Sequence, residues 1–269
     1  MQVIQRALEY SRPDRIDVIP FGDSHFGSIH AAEDAACEQR DIILKNKNTY
    51  WVGMGDWADC ITKDDKRFDM GGLASWVKKD DIVESQRKRI VEFLKPIAPK
   101  CLAYLTGNHE ETIHKAHQHD ITRHIVDDLN VPYGGYSCFL NLNFRRCNKS
   151  EWNLLIHAWH GAGAAQTAGA RLNRLLSLVN DVQADVYFMG HLHAMTHHTP
   201  DRLVLENGKI KSLTLEATIT GSWVKAYTQP MTPDDESIGY PEMKGYKPSR
   251  IGAPVLHIWP DERKFTIEG

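Results

Sequence analysis

The sequence predicts an α/β protein whose closing part is rich in β-structure. Three observations predict it. Short apolar runs alternate with longer segments of helical periodicity up to about residue 180. Asp, Asn or His, mostly beside glycine, follows one apolar run after another. Beyond residue 200, turn residues and paired short runs replace the helical pattern.

The elements follow in order. Asp17–Gly22 and Thr49–Gly53 are short apolar runs and are expected as buried strands, with a helix over Ala31–Lys45 between them. Lys63–Gly72 is irregular, and Asp81–Leu94 is the second helix. Cys101–Thr106 is the third strand, followed by a helix over Ile121–Leu129. Leu154–Trp159 and Val186–Met189 are two further strands. The helix between them, Ala168–Val179, sets Leu172, Leu175, Leu176 and Val179 on one face and Arg171 and Arg174 on the other. Arg202–Glu206 and Lys209–Leu215 flank Asn207-Gly208, the pair that best supplies the positive φ angles of a two-residue hairpin turn. Gln229–Ser249, rich in Pro, Gly and acidic residues, is expected as a long ordered loop. Val255–Trp259 and Lys264–Glu268 close the chain as a second hairpin. No linker or internal repeat divides the 269 residues, so a single domain over 1–269 is expected.

Composition removes several function classes. The formal net charge of -3 advertises neither nucleic acid nor an anionic membrane. No apolar run reaches the ~18 residues of a membrane helix, and the N-terminus lacks a signal-peptide core. The five cysteines are scattered and form no C-x-x-C pair, which suits a reduced, cytoplasmic setting with most of them packed in the core. No obligate protein partner is evident. The 14 histidines, by contrast, crowd into HKAHQHD, HAWHG and GHLHAMTHH, and this raises the expectation of a metal site.

The strand ends carry the chemistry. They read Asp23-Ser24-His25, Gly55-Asp56-Trp57-Ala58-Asp59, Gly107-Asn108-His109-Glu110, His160-Gly161, and Gly190-His191-Leu192-His193. In an α/β fold, polar residues at the C-terminal ends of strands converge on one crevice. Asp23 and His25, two apart, project from one side of an extended segment and can grip one ion. Asp56 can bridge two ions through its two carboxylate oxygens, and Asn108 offers a neutral carbonyl oxygen. His160, His191 and His193 offer imidazole nitrogens. A mixed N/O set without thiolate suits Mn, Fe, Zn or Ni rather than Ca or Mg.

In this order and spacing the motifs DSH, GDWAD, GNHE, HG and GHLH, spanning residues 23 to 193, resemble those of the calcineurin-like metallophosphoesterases. The resemblance implies a four-layer α/β/β/α sandwich of two mixed sheets flanked by helices, with a dinuclear metal centre at the strand ends. It implies one metal on Asp23, His25, Asp56 and His193 and a second on Asp56, Asn108, His160 and His191. Mn2+ is expected first, with Fe, Zn or Ni as alternatives. It implies hydrolysis of a phosphoester by a metal-bridging hydroxide, with His109 as general acid and Asp59 as the residue that orients it. Asn108 and His109 would also meet the substrate. The tail, GSWVKAY and YPEMKGYKPSRIGAPVL, more loosely resembles uncharacterised metallophosphoesterases of phages and prophages.

Substrate class is narrowed by departures from the family. Protein phosphatases of the superfamily place phosphate-binding arginines where this chain has Cys60 and Thr106. Two divalent ions, two aspartates and a hydroxide leave a charge of about +1, which balances a diester monoanion better than a monoester dianion. A phosphodiester is therefore favoured, with a DNA or RNA nuclease, a phosphomonoesterase or protein phosphatase, and a non-catalytic scaffold as alternatives. An arginine from elsewhere, Arg171 or Arg174, would change this balance. A nuclease would need phosphate contacts such as Arg87-Lys88-Arg89 or Arg145, Arg146 and Lys149, which also read as solvated charge. Gly161-Ala-Gly-Ala-Ala165 either presents backbone N–H groups to a phosphate or forms a tight strand-to-helix turn. His157 competes with His160 as a ligand but is expected as a hydrogen-bonded core histidine. His114, His117 and His119 are expected on a polar helix surface, His197 and His198 along the cleft or its rim. Trp57 and Trp223 are expected in the core.

Overall fold

The computed structural model describes residues 1–225 and 248–269. Most of the expected loop Gln229–Ser249, and residues 226–247 of the tail motifs GSWVKAY and YPEMKGYKPSRIGAPVL, lie outside the described residues. The strands are β1 (Gln2–Glu9), β2 (Ile16–Phe21), β3 (Thr49–Gly53), β4 (Cys101–Leu105), β5 (Tyr133–Gly135), β6 (Ser137–Arg146), β7 (Lys149–Trp159), β8 (Val186–Met189), β9 (Met195–His198), β10 (Asp201–Glu206), β11 (Lys209–Thr214), β12 (Glu216–Thr220), β13 (Val255–Trp259) and β14 (Lys264–Glu268). The helices are α1 (Glu33–Lys45), α2 (Ile82–Leu94), α3 (Asn108–His117), α4 (Ile121–Leu129) and α5 (Ala168–Asp181). Lys63–Gly72 is irregular as expected, apart from a short 3-10 turn at Met70–Gly72.

The chain is an α/β protein with two mixed six-stranded sheets, and β10 and β11 form a separate two-stranded ribbon. One sheet has the order β1-β6-β7-β8-β12-β9 and the other β14-β13-β2-β3-β4-β5. In the second, β2, β3, β4 and β5 run parallel, while β13 is antiparallel to β2. In the first, β7, β8 and β12 run parallel, β6 is antiparallel to β7 but parallel to β1, and β9 is antiparallel to β12.

Three apolar clusters order the layers. Val18, Val52 and Leu105 from one sheet pack with Leu140, Ile156 and Phe188 from the other, so the sheets share a core. The opposite face of the β2-β3-β4 sheet, with Phe21, Trp51 and Tyr104, is covered by Ile43 of α1, Phe93 of α2, Ile113 of α3 and Ile125 of α4. The outer face of the other sheet is covered by Leu175, Leu178 and Val179 of α5. This layering is compatible with an α/β sandwich.

Six elements escape the periodicity read from the sequence: β1, β5, β6, β9, β12 and α3. In β1 only Leu8 is buried, as befits an edge strand. α3 starts inside the GNHE motif, where Glu110 Oε2 accepts from the Gly107 N–H, the reach-back half of a capping box.

Candidate metal centre

The crevice forms where the C-terminal ends of β2, β3 and β4 meet those of β7 and β8. The strand-end loops are laced together. Asp23 N–H donates to the Gly55 carbonyl (2.8 Å), His191 N–H to Asp23 Oδ1 (3.0 Å), and His109 N–H to Asp56 Oδ1 (2.9 Å). Gly107 permits this approach: a Cβ there would lie 2.1 Å from both the Asp56 nitrogen and its Oδ1. Asp23, His25, Asp56, His191 and His193 all have positive φ, between 47° and 70°. Asp and His tolerate this left-handed region better than most residues, and such conformations concentrate at functional sites.

The structure brings together every residue of the expected first ligand set. Ligand atoms of Asp23, His25, Asp56 and His193 lie within 4.8 Å of one another. His25 Nε2 is 3.1 Å from His193 Nε2 and 3.8 Å from Asp56 Oδ2, and His193 Nε2 is 3.4 Å from Asp23 Oδ1. The second set shares Asp56: its carboxylate groups with His160 and His191, and His160 Nε2 is 3.3 Å from Asp56 Oδ2. Asn108 Oδ1 sits among these atoms, 3.0 Å from His160 Nε2, 2.7 Å from His191 Nδ1 and 3.2 Å from Asp56 Oδ2.

These separations fit a cation. Two ligand atoms at right angles on an ion, each about 2.1 Å from it, lie about 3.0 Å apart. Asn108 gives a second indication. Its amide oxygen faces acceptors, an arrangement relieved either by turning the amide or by a cation among the lone pairs. Turned, the NH2 has two hydrogens for three acceptors, Asp56 Oδ2, His191 Nδ1 and His160 Nε2, and the oxygen accepts from the His109 N–H (3.3 Å). A cation would meet the oxygen and all three acceptors without the turn.

The outward nitrogens of the histidines tell the same story. His160 Nδ1–H donates to the Met54 carbonyl (2.7 Å), and His191 Nε2–H donates to the Gly163 carbonyl (2.9 Å). His25 Nδ1 faces Asp59 Oδ1 at 3.4 Å. In each ring one nitrogen is held by an oxygen and the other points into the centre, as in metal-ligating histidines generally. Burial alone would lower the His160 pKa, but Asp56 more than offsets it and pushes it up to about 10, so this spot attracts positive charge. The buried His/Asp cluster can therefore hold a metal ion. Asp23, Asp56 and His160 form a buried floor, while the half-buried Asn108, His191 and His193 open toward solvent.

Asp56 departs from the expected bridging geometry. One oxygen, Oδ2, faces both ligand sets, because Oδ1 is tied to the His109 N–H. Asp59 also differs from expectation. The bond to His109 Nδ1 comes from its main-chain carbonyl, and its carboxylate faces His25 instead. The His109 ring packs edge-on against His25, with centroids 4.5 Å apart.

Glu110 was given no role by the sequence reasoning, yet it organises the loop. Its Oε1 accepts from Trp57 N (2.7 Å) and Ala58 N (3.0 Å), and its Oε2 from Asp56 N (3.1 Å) and Gly107 N (3.0 Å). Burial, then the Asp56 charge, lifts this carboxyl to about 7. All four partners are donors, so the carboxylate is the form the pocket accommodates. The fourth letter of GNHE, three residues after the helix cap, was the available signal.

The remaining candidates contribute no atom to the two ligand sets, although Gly161 packs directly against His191. Gly161 is buried, and its carbonyl accepts from the Tyr136 hydroxyl (3.0 Å). Arg171 Nε donates to the Ala165 carbonyl (3.1 Å), which ties it to the turn before α5. His157 is buried, but neither ring nitrogen has a hydrogen-bond partner, contrary to the expected bonded core histidine. It lies on the face of β7 away from the shared core, against Phe139. Trp57 and Trp223 pack on Phe21 in the core. His114 and His117 lie on exposed turns of α3, and His119 is 3.1 Å from His124. His197 bonds Glu216 at 2.5 Å. Of the basic residues, Arg87 is paired with Glu84 and Asp128, Lys88 with Glu84, and Arg89 with Glu33. Arg146 is paired with Asp261 and Glu151. The β6–β7 turn that carries Arg145, Arg146 and Lys149 lies at the far end of the 11-residue β7 from His160, roughly 35 Å away. All five cysteines are free, and Cys60, Cys101 and Cys138 are buried. No helix among the described residues is long and apolar enough to cross a membrane.

No model of a known protein family matches the chain, and no curated protein matches it.

Proposed function

We propose that this chain is a calcineurin-like metallophosphoesterase that hydrolyses phosphodiesters. One observation carries the proposal: two sets of ligand atoms share the single oxygen Asp56 Oδ2, with His109 fixed beside them. The layering of helices and mixed sheets supports the same family. Asp23, His25, Asp56 and His193 would hold one ion, and Asp56, Asn108, His160 and His191 the other. The nitrogen and oxygen donors, free of thiolate, favour Mn2+, with Fe, Zn or Ni as alternatives. Bound there, two ions would polarise the phosphoryl group and acidify water near neutral pH.

The chain's own groups supply the rest. The Asp59 carbonyl holds Nδ1–H of His109, which leaves Nε2 to hand a proton to the departing oxygen. Burial opposes protonation of His109, and the charges of Asp56 and Asp59 outweigh it, so its pKa is raised. The preference for a diester is supported by the absence of arginine at residues 60 and 106. Arg171 is tied to the Ala165 carbonyl, and the Arg174 guanidinium packs over Gly163 beside His191. The pairing of Arg87, Arg89 and Arg146 with carboxylates favours a small diester over long nucleic acid.

The test measures transition-metal content of the purified protein and its rates on bis-p-nitrophenyl phosphate, p-nitrophenyl phosphate and linear single-stranded DNA with added Mn2+. The expected result is bound metal and a diester rate above the monoester rate. A metal-free protein inert on all three substrates would refute the enzyme. A monoester rate far above the diester rate would refute the substrate class.

A further inference from the structure

The ribbon of β10 and β11 stands apart from the cleft. β9 starts beside the metal centre and runs antiparallel to β12, so the chain reaches Asp201 at the opposite pole of the sheet. There Arg202 Nη2 donates to the Val179 carbonyl near the end of α5 (2.5 Å). Within the ribbon, Leu205 is opposite Ile210 and Leu203 opposite Ser212, which puts Leu203, Leu205 and Ile210 on one face. They are 75%, 76% and 76% exposed. A two-stranded ribbon with an uncovered apolar face is marginal alone, and further strands are what stabilise it.

The edges of the ribbon are unequal. Asn207 and Gly208 have φ of 51° and 75°, the signature of a type I′ turn, so Glu206 and Lys209 form the hydrogen-bonded pair that closes it. Alternation along the ladder then makes Val204–Lys211 and Arg202–Leu213 the next bonded pairs. The N–H and C=O groups of Leu203 and Leu205 therefore point out from the free edge of β10. No strand among the described residues pairs with that edge. The outer edge of β11 is guarded by Lys209 and Lys211, whereas β10 reads Arg202-Leu-Val-Leu-Glu206, which is self-complementary about Val204.

We propose that β10 pairs antiparallel with β10 of a second copy of this chain, on a two-fold axis through Val204. In this register Leu203 of each copy faces Leu205 of the other, so the outward N–H and C=O groups of these leucines bond to one another. Arg202, held by the Val179 carbonyl, comes opposite Glu206, which pairs with Lys211 in its own ribbon. The ribbons become one four-stranded sheet. Across it Ile210, Leu205, and Leu203 of the second copy form an apolar row, repeated by symmetry. The contact is small, at or below about 1,000 Å² in total, which belongs to a reversible dimer. The metal centre at the opposite pole stays open, and the pairing does not depend on the proposed activity.

Sedimentation velocity of the full chain over about two decades of concentration tests this. The wild type is expected to pass from monomer to dimer. Leu205→Pro removes an outward N–H while leaving the β10–β11 ladder intact, since an edge strand accepts proline there. By symmetry the dimer loses two hydrogen bonds, and dissociation should become at least about tenfold easier. Glu206→Arg, which sets like charges opposite each other, should weaken the dimer similarly and decides the matter if the proline variant does not fold. A wild type that is monomeric at every concentration overturns the proposal. So does Glu206→Arg, or folded Leu205→Pro, associating as tightly as wild type.

Discussion

His157 allows a quantitative test of which histidine in HAWHG is a ligand and which belongs to the packing. It is 2% exposed, its ring nitrogens have no partner, and its outward face of β7 lies against Phe139. Burial lowers its pKa to about 4, against an ordinary value of 6.5. The sign is set by which state binds the proton. Between pH 6.5 and 4 the unfolded chain protonates this ring and the folded chain does not, so stability is full above 6.5 and falls as pH drops through this window. The full shift corresponds to roughly 3 kcal/mol, and about 2 kcal/mol is lost by pH 5, somewhat less with solvent screening. His157→Leu removes the titration and two orphaned polar atoms while keeping a similar volume. Urea denaturation at pH 7.5 and pH 5 measures both variants. His157→Leu is expected to be at least as stable as wild type at the higher pH and about 2 kcal/mol more resistant to acidification. Metal content should be unchanged. An identical loss of stability in both proteins would refute the burial argument. Loss of metal would show that His157 is a ligand after all.

Two further outcomes follow from the centre itself. Glu110→Gln keeps the shape but turns an NH2 toward two of the four backbone N–H groups, so it should lose about 1 to 3 kcal/mol of stability and weaken metal binding by loosening Asp56. Unchanged denaturation and metal content would remove Glu110 from the supporting shell. Asp56→Asn should lose both metal and rate, whereas His109→Ala should keep metal and lose ~10²–10⁴-fold in rate on poor leaving groups. Loss of metal in His109→Ala, measured by elemental analysis, would reverse its assigned role.

The strands that carry the site were legible because they are buried on both faces. Thr49–Gly53 and Val186–Met189 are continuous apolar runs, and the structure has the same bounds. β6 was missed although Cys138, Leu140, Leu142 and Phe144 alternate cleanly with partly exposed residues. Its inward cysteine and outward asparagines dilute the apolar signal. α3 does not show in the periodicity because it starts within the GNHE run, and half of its residues are His or Glu. The candidate ligand residues were legible from spacing, since side chains at neighbouring strand ends converge on one place. Their orientation was not. That Asp56 presents a single oxygen to both sets depends on the His109 N–H, a contact between loops 53 residues apart. That Asp59 uses its carbonyl depends on a backbone path no side-chain pattern encodes.

The five left-handed ligand residues bear on how the centre is made. Outside glycine this conformation costs about 1 kcal/mol or more per residue, less for Asp and Asn, and it persists only where the surroundings impose it. Here they do. Asp23 is held by the Gly55 carbonyl, the His191 N–H and the Trp223 N–H, and the Asp56 loop is clamped by Glu110. The order of construction therefore runs from the sheets outward. Packed strands fix the loop stems, glycines at residues 55 and 107 let the loops touch, and hydrogen bonds between loops force the strained ligands into place. The positions of Asp23 and Asp56 are thus set by hydrogen bonds within the chain itself. Whichever ion such a centre would take is then set by donor type and spacing, with Asp23 and Asp56 buried and held by neighbouring loops.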